Sequence, residues 1–358
     1  MNFPFNNSSS TGAEARICGS ITTLPAPFIV LIIFYVIVFF LAMFGNSVIV
    51  CVIIKNFHRK FRTSMHLMIF NLAITHLLLT GLSLPITLSR DILGYWFAND
   101  ALCYFYGSLT NALAIVEMLT MEFMTVERYR AVANYRNRSL TKSQASIGIV
   151  VIWLVGISIV LPSVISPVFR DLQTTIFCTY RFHSYELHNL IYTSILLMIV
   201  YLIPFAIIML LYSCLAYNLR HHNIEVRERL GEAAVKNNRK VTNILWILSG
   251  SFFLCWLPIF ICVILIAFST AYIRKNFCTF RAFFIIAHLL GYVYGVVNPL
   301  VLVTLSDAYK NATWQLFHHK ILPTSPGQSP AIKRTITQQS LIHNSSRIEG
   351  NQSSATEM

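Results

Sequence analysis

Charge is scarce in this 358-residue chain, since only 11% of its residues are Asp, Glu, Lys or Arg. A soluble globular protein carries roughly 25% charged residues, so the composition argues against an ordinary soluble domain. Acidic residues are the scarcest, with 14 Asp and Glu against 27 Lys and Arg. The sequence also lacks an H-E-x-x-H zinc motif, a G-x-S-x-G nucleophile elbow and a phosphate-binding loop. The chain is therefore not predicted to be an enzyme, and no cofactor or metal is expected.

Long apolar runs take the place of charge, and 56% of the residues are hydrophobic. A helix that crosses a bilayer needs about 20 predominantly apolar residues. Seven runs reach that length, and they cover residues 28–54, 65–89, 102–126, 145–168, 189–217, 242–268 and 280–304. The sequence therefore predicts an all-α membrane protein in which residues 28–305 form a bundle of seven transmembrane helices, here called spans one to seven.

The basic residues are distributed unevenly between the segments that connect these runs. If residue 1 lies outside the cell, most of the 27 Lys and Arg residues fall in cytosolic segments. Those that remain outside are Arg16, Arg90, Arg170, Arg181, Arg274, Lys275 and Arg281. Because short basic loops stay in the cytosol, this asymmetry predicts a multi-pass plasma membrane protein with an extracellular N-terminus. The net charge of +13 then faces anionic membrane lipid and cytosolic partners rather than nucleic acid.

The polar segments outside the bundle lead to separate predictions. Residues 1–27 contain overlapping Asn-x-Ser sequons, so an extracellular N-terminus glycosylated at Asn6 and Asn7 is expected. Residues 306–319 mix Tyr309, Trp314 and Phe317 with polar residues, which is typical of a short amphipathic helix in the membrane interface. Residues 320–358 are rich in Ser, Thr, Pro and Gln, and they are expected to form a disordered cytosolic tail.

Half of the 8 cysteines, Cys18, Cys103, Cys178 and Cys278, fall on the extracellular side under this topology. That side is oxidising, so disulfide bonds are permitted there. Cys103 begins span three and Cys178 lies in the second outer loop, which makes them the first candidate pair. Cys18 and Cys278 are a second candidate pair that would tie the N-terminus to the third outer loop. Free thiols are the alternative for both pairs.

A carboxylate adjoins a guanidinium where span three ends, in Glu127-Arg128-Tyr129. An unpaired charge in hydrocarbon costs roughly 3 kcal/mol on insertion scales and more in simulations. One explanation is an Arg at a helix end that extends its side chain to the interface. The other is a functional ion pair, and motifs in the remaining spans favour it.

By the order and spacing of these motifs, the chain resembles a rhodopsin-type (class A) G-protein-coupled receptor over about residues 28–318. It looks most like the peptide-binding members of that family. The residues that carry the resemblance are Gly45, Asn46, Asn71, Leu72, Ala73, Trp96, Cys103, Glu127, Arg128, Tyr129, Trp153, Pro204, Tyr212, Phe252, Cys255, Trp256, Leu257, Pro258, Asn298 and Pro299.

The resemblance implies a mechanism and a set of partners. Glu127 would hold Arg128 in the resting state, and agonist would favour a state in which span six swings outward about Pro258. The opened cleft would admit a heterotrimeric G protein, and arrestin and receptor kinases would follow. The residues implied in coupling and switching are Glu127, Arg128, Tyr129, Tyr212, Phe252, Trp256, Pro258, Asn298 and Pro299.

The chain departs from the family pattern at an internal polar site. His76 stands where the family usually has an Asp, and Glu117 stands where it has a small polar residue; the family's groups hold a sodium ion there. We expect His76 and Glu117 to form an internal ion pair that replaces the ion, with Asn46 and Asn298 nearby. The alternative is a neutral His76 beside a protonated Glu117, because burial favours neutral forms. Leu302 also replaces the usual Tyr after Asn298-Pro299, which puts efficient signalling in doubt.

Family positions also imply an outer ligand cavity in which polar and cationic groups mix with aromatic rings. Such a lining suits a peptide, especially one with a carboxylate, or an acidic lipid or metabolite. Solvated loop charge is the alternative for Arg90 and Arg181, and a structural histidine is the alternative for His288. The lining residues implied are Arg90, Thr110, Asn111, Arg181, Trp256, Phe260, His288 and Tyr292.

The sequence thus predicts a receptor that transmits the binding of an extracellular ligand, with a peptide favoured, to heterotrimeric G proteins. A weakly signalling or silent receptor that scavenges ligand or modulates a partner is the first alternative, because of His76 and Leu302. A transporter that uses His76, Glu117 and Glu122 as a proton or ion path is the second.

Overall fold

The computed structural model describes residues 25–56, 63–93, 96–133, 140–165, 186–221 and 232–318. These residues are helical apart from short connections, and seven of their helices are long and apolar enough to cross a membrane. The predicted all-α bundle of seven spans is confirmed. Predictions that concern Asn6, Asn7, Cys18, Cys178, Arg181 and the tail fall outside the described residues.

The spans lie close to the predicted runs. Span one is Pro25–Asn56, span three Asp100–Ala133, span four Lys142–Ile165, span six Glu232–Phe268 and span seven Phe277–Leu305. Spans two and five each consist of a helix, a wider turn and a second helix. In span two these are Ser64–Leu78, Leu79–Ser83 and Leu84–Leu93. In span five they are Glu186–Leu197, Met198–Leu202 and Ile203–His221. A short helix, Thr270–Lys275, joins spans six and seven, and a terminal helix, Asp307–His318, follows.

Proline explains the two wider, π-helical turns. Each turn ends two residues before a proline, Pro85 in span two and Pro204 in span five. A proline ring collides with the carbonyl four residues earlier and supplies no N–H to it. That carbonyl belongs to Gly81 in one case and Val200 in the other, and both residues lie within the wider turn. The extra residue in the turn relieves the collision and changes the direction of the side chains that follow.

Hydrogen bonds join spans two, three and four inside the bundle. The Asn71 amide nitrogen donates to Thr120 Oγ1 at 2.9 Å, and its amide oxygen accepts from Trp153 Nε1 at 2.8 Å. A buried amide that is left without partners costs about 1–3 kcal/mol, so this three-way contact fixes how the spans pack. Two of the motif positions, Asn71 and Trp153, therefore meet at one place with Thr120 of span three.

Spans one and seven approach closely because Gly45 has no side chain. A Cβ placed on Gly45 would lie 2.7 Å from Cγ of Pro299, closer than two carbon atoms can pack. The neighbouring Asn46 donates from Nδ2 to the carbonyl oxygens of Ala42 and Gly295, at 2.8 Å each. Gly45 and Asn46 thus tie span one to span seven just where the Asn298-Pro299 motif lies.

The two ends of the bundle are distinguished by their residues. One end, the disulfide end, carries Cys103 and Cys278, which are both disulfide-bonded. The opposite end, the Arg128 end, also carries the terminal helix. Residues up to Thr313 belong to one compact unit, and a second unit begins at Trp314. Within the first unit, the Tyr309 hydroxyl of the terminal helix lies 3.3 Å from Nδ1 of His66 in span two.

Candidate functional site

At the Arg128 end, Glu127 and Arg128 are neighbours in space as well as in sequence. Nε of Arg128 lies 3.4 Å from Oε2 of Glu127, and the side chains are 16% and 2% exposed. The distance and alignment are those of an ion pair, not of a hydrogen bond. The other carboxylate oxygen accepts a hydrogen bond of 2.8 Å from Ser64 Oγ in span two. Span two therefore helps to hold the carboxylate beside the guanidinium.

Tyr212 approaches the same region from span five. Its hydroxyl lies 3.4 Å from Oγ1 of Thr125, and its ring packs edge-on against Trp246 of span six at 5.3 Å. Tyr212 is buried, whereas Tyr129 is half-buried and does not join this contact. Tyr212 of span five thus contacts span three through its hydroxyl and span six through its ring, close to Arg128.

A second charged contact at this end links span six to the terminal helix. Nζ of Lys240 lies 2.5 Å from Oδ2 of Asp307, and both side chains are largely exposed. The hydrogen bond from Lys240 holds the pKa of Asp307 below its ordinary value, so the carboxylate is ionised at neutral pH. Sequence reasoning did not identify this pair, because its members are separated by all of span seven.

A row of aromatic rings runs through the middle of the bundle. Trp256 contacts Phe252 on span six with ring centroids 5.9 Å apart, and Phe252 packs edge-on against Tyr294 of span seven at 5.3 Å. Tyr294 in turn packs edge-on against the His76 ring at 5.1 Å. Tyr294 was missed by the sequence analysis, and it is the ring that connects the two predicted switch aromatics to the internal polar site.

His76 and Glu117 form a close contact in the bundle interior. Nδ1 of His76 lies 2.8 Å from Oε1 of Glu117, and the two side chains are 1% and 0% exposed. Glu117 accepts no aligned hydrogen bond in this contact, so the two groups are close neighbours without one. The structure therefore brings the two predicted residues together, and each must be neutralised by the other or by a proton.

Asn46 and Asn298 complete the predicted internal polar site only in part. Asn46 is fully buried and its amide nitrogen is bonded, but its oxygen has no partner among the described residues. Asn298 is also fully buried, and neither its amide oxygen nor its nitrogen is hydrogen-bonded within the described part of the chain. Buried amides in this state are costly, so these atoms are available to ordered water or to a rearranged neighbour.

At the disulfide end, Arg90 is 2% exposed and paired, which excludes the alternative that it is a solvated loop charge. Its Nε and Nη2 donate to Oδ1 of Asp91 at 3.0 and 2.8 Å. The Tyr35 hydroxyl of span one donates to the other oxygen, Oδ2, at 2.8 Å. The Arg90 guanidinium also lies over the Phe284 ring, with Cζ 4.9 Å from the centroid. Arg90 is therefore buried behind spans one and seven, and its partner there is Asp91, which the sequence analysis did not name.

Hydroxyl groups extend this arrangement toward the bundle centre. Thr87 Oγ1 donates to the Ser83 carbonyl at 2.9 Å and lies 2.8 Å from the Tyr106 hydroxyl and 2.7 Å from the Tyr292 hydroxyl. Because a hydroxyl has one hydrogen, both tyrosines donate to Thr87 and keep lone pairs free. We call Tyr35, Thr87, Arg90, Asp91, Tyr106 and Tyr292 the Asp91 cluster. Of its members, only Arg90 and Tyr292 were predicted.

Of the other predicted cavity residues, His288 and Thr110 lie beside this cluster. Nδ1 of His288 is 2.9 Å from the Phe284 carbonyl oxygen, so this nitrogen carries the proton and Nε2 is the acceptor. Thr110 donates to the Tyr106 carbonyl at 2.7 Å. Phe260 packs against Tyr201 at 4.1 Å, on the side of spans five and six. Asn111 is exposed, so its side chain does not belong to the buried set.

Comparisons with known proteins agree with this arrangement. Residues 45–302 match the family model described as "7 transmembrane receptor (rhodopsin family)". The chain is 22% identical over 303 residues to neuropeptide Y receptor type 6 of Mus musculus, covering 81% of each chain. It is 27% identical over 308 residues to neuropeptide FF receptor 2 of Rattus norvegicus, covering 81% of this chain and 73% of the relative. It is 24% identical over 317 residues to the pyroglutamylated RF-amide peptide receptor of Mus musculus, covering 82% and 71%.

Proposed function

The chain belongs to the rhodopsin family of seven-transmembrane receptors, and on that premise we propose that it recognises an extracellular peptide and activates heterotrimeric G proteins. The names of its relatives, receptors for neuropeptide Y, neuropeptide FF and an RF-amide peptide, support a peptide. Members of this family are receptors, so the nucleotide exchange that follows binding takes place on the G protein. An acidic lipid or metabolite is the alternative ligand.

The observation that supports this function best is the contact of Glu127 with Arg128 at one end of a bundle whose other end holds the Asp91 cluster. The side chains of the pair lie within a helical membrane protein at 2% and 16% exposure. Burying such a pair costs desolvation energy, so it adds little to stability by itself. We infer that the pair is kept because Arg128 is used in a second state. A ligand with higher affinity for that second state shifts the equilibrium toward it.

The proposed movement is an outward swing of span six. Pro258 lies within the Glu232–Phe268 helix and weakens its backbone hydrogen bonding. Trp256 and Phe252 would repack against Tyr294, and the release of Arg128 from Glu127 would open the Arg128 end to a Gα subunit. We propose that this end faces the cytosol, the disulfide end faces outside, and arrestin and receptor kinases act on the same cytosolic face.

A peptide library applied to cells that express the full chain, with sensors for several Gα classes, tests the proposal. We expect at least one peptide to activate a sensor, with the response lost in Arg128→Ala and surface binding of the peptide retained. A response of equal size in Arg128→Ala would contradict the role assigned to this residue. Ionic current or uptake that needs no G protein would favour the transporter alternative.

We further propose that His76 and Glu117 act as an internal ion pair in place of a bound cation. The 2.8 Å separation and the near-complete burial of both side chains support it. If the pair supplies its own positive charge, agonist affinity should be nearly the same in sodium and in N-methylglucamine at equal ionic strength. Inhibition of agonist binding by sodium that the bulky organic cation does not reproduce would refute the proposal.

A further inference from the structure

Both carboxylate oxygens of Asp91 are already hydrogen-bonded within the protein. Oδ1 of Asp91 accepts two hydrogen bonds from Arg90, and Oδ2 accepts one from Tyr35. Asp91 is 3% exposed, so a ligand cation would first have to displace Arg90 from a buried ion pair. Breaking such a pair leaves a buried charge without a partner, which is strongly unfavourable.

Arg281 adds a second guanidinium to the same end of the bundle. It lies one helical turn before Ile285, whose carbonyl oxygen is 3.4 Å from the Tyr35 hydroxyl that also binds Asp91. Arg281 is 8% exposed, and its Nε has no hydrogen-bond partner among the described residues. Of the two guanidinium groups, only that of Arg90 is hydrogen-bonded to Asp91 among the described residues.

The charges at this place therefore do not balance. Among the buried residues that the structure describes here, Arg90 and Arg281 carry two positive charges and Asp91 carries one negative charge. His288, farther along the same face of span seven, adds no acid and presents an acceptor nitrogen. A buried guanidinium nitrogen without a hydrogen-bond partner is costly, and an anion that enters the site would offset that cost.

We propose that Arg281 binds a carboxylate of the ligand. At spans one, two and seven the receptor therefore recognises a negatively charged group of the ligand, not a ligand arginine. The inference deepens the proposed function and rests on it. A guanidinium binds a carboxylate through two parallel hydrogen bonds, which gives both affinity and orientation. The carboxylate is either the C-terminus of the peptide or an Asp or Glu side chain.

The test uses synthetic peptides in matched forms on cells that express the full chain. Each peptide is made with a free C-terminal carboxylate or an amide, and each acidic side chain is replaced by Asn or Gln in a further set. Fatty acids and dicarboxylic acids form a separate arm. We expect the active compounds to be anionic, and we expect Arg281→Gln to raise their half-maximal concentration about 10- to 100-fold. Arg281→Lys should lose less, because it keeps the charge but not the paired donors.

Lys275 supplies the matched control, because it is an exposed cation on the short helix just before span seven. Lys275→Gln removes the same charge and should change the half-maximal concentration by no more than about 2-fold, since an exposed charge is screened. Surface labelling establishes that each variant reaches the membrane in equal amount. If Arg281→Gln does not reach the surface, Arg281→Lys is used to test the proposal in its place.

The outcomes separate this inference from the proposed function. Activation by amidated peptides without acidic residues, undiminished in Arg281→Gln, overturns the inference and leaves the peptide function intact. Activation by fatty or dicarboxylic acids alone, lost in Arg281→Gln, supports the carboxylate site and overturns the peptide. Equal losses in Arg281→Gln and Lys275→Gln overturn the inference, because they indicate attraction by general charge.

Discussion

His76 and Glu117 show how much depends on single residues in a membrane interior. Each side chain is almost fully buried, and Nδ1 of His76 lies 2.8 Å from Oε1 of Glu117. Removing one partner leaves a charge or an unpartnered acid in a medium of low dielectric constant. Replacing both with apolar residues of similar size is often neutral, because the cost of burying the pair disappears together with its attraction.

This reasoning predicts the result of a double-mutant cycle. Glu117→Leu and His76→Leu should each lower the free energy of unfolding by about 3–5 kcal/mol, and the double variant should recover most of that loss. The thermal unfolding of purified receptor in detergent, followed by tryptophan fluorescence, measures the changes. Additive losses in the double variant would mean that the two side chains do not interact.

The residue scale also shows which contacts the sequence could not reveal. His76 and Glu117 were predicted to meet because both stand at unusual positions in apolar runs. Arg90 and Asp91 were not paired, because adjacent residues on a helix point in different directions. Only the packing of Tyr35 and Phe284 around them makes Arg90 turn back onto its neighbour. Tyr294 was missed because nothing in the sequence distinguishes it from the other aromatic residues of the spans.

Between elements, the close approach of spans one and seven depends on Gly45. Gly45→Ala places a Cβ 2.7 Å from Cγ of Pro299, so spans one and seven must separate or strain. We expect a loss of about 1–3 kcal/mol in the free energy of unfolding, typical of overpacking.

Gly250 is the matched control, because a Cβ there meets nothing within 4 Å. Gly250→Ala should be neutral or stabilising, since Ala favours a helix by about 1 kcal/mol over Gly. Similar losses in both variants would indicate a helix effect rather than a contact.

The Lys240–Asp307 contact is an element-scale feature of another kind. It joins span six to the terminal helix, so an outward swing of span six must break it. Lys240→Ala should therefore raise agonist-independent signalling, by roughly 2- to 5-fold, since exposed ion pairs are weak. Constitutive signalling in cells, normalised to surface receptor, measures the effect. Lys236→Ala is the control, because Lys236 is an exposed lysine one helical turn earlier.

The pH dependence of this contact has a definite sign. Because Lys240 lowers the pKa of Asp307, the contact is fully present above the ordinary pKa of an aspartate, about 4, and is lost as the pH falls through the lowered value. Cytosolic acidification within the physiological range should therefore not change basal signalling through this pair. High salt should weaken it in purified receptor. A basal response unchanged in both Lys240→Ala and Asp307→Asn would rule out a role in holding span six.

Proline illustrates what element-scale prediction achieves. The sequence places prolines in five spans, where a proline can kink or widen a helix, and all five lie within the predicted runs. The structure widens the helix before Pro85 and Pro204 but keeps Pro162, Pro258 and Pro299 within continuous helices. Which outcome occurs depends on whether neighbouring spans can accept the displaced turn, and this is information that the local sequence does not carry.

For the whole molecule, the seven spans were predictable because a bilayer allows few solutions. Backbone polar groups have no water to bond in hydrocarbon, so an apolar run of sufficient length must be helical. The contents of the disulfide end were not predictable in the same way. Tyr35, Asp91 and Tyr106 come from spans one, two and three, and they are joined through Arg90 only after the spans have packed.

The orientation of the molecule is the last prediction, and it follows from charge and from the odd number of spans. Seven spans require residue 1 and residue 358 to lie on opposite sides. The excess of Lys and Arg in the segments that share a side with Arg128 predicts that this side faces the cytosol. We expect an N-terminal epitope tag to bind antibody on intact cells and a C-terminal tag to bind only after permeabilisation. Tags accessible together would exclude a bundle of seven spans, whereas the reverse pattern would keep the bundle and put Arg128 out of reach of G protein.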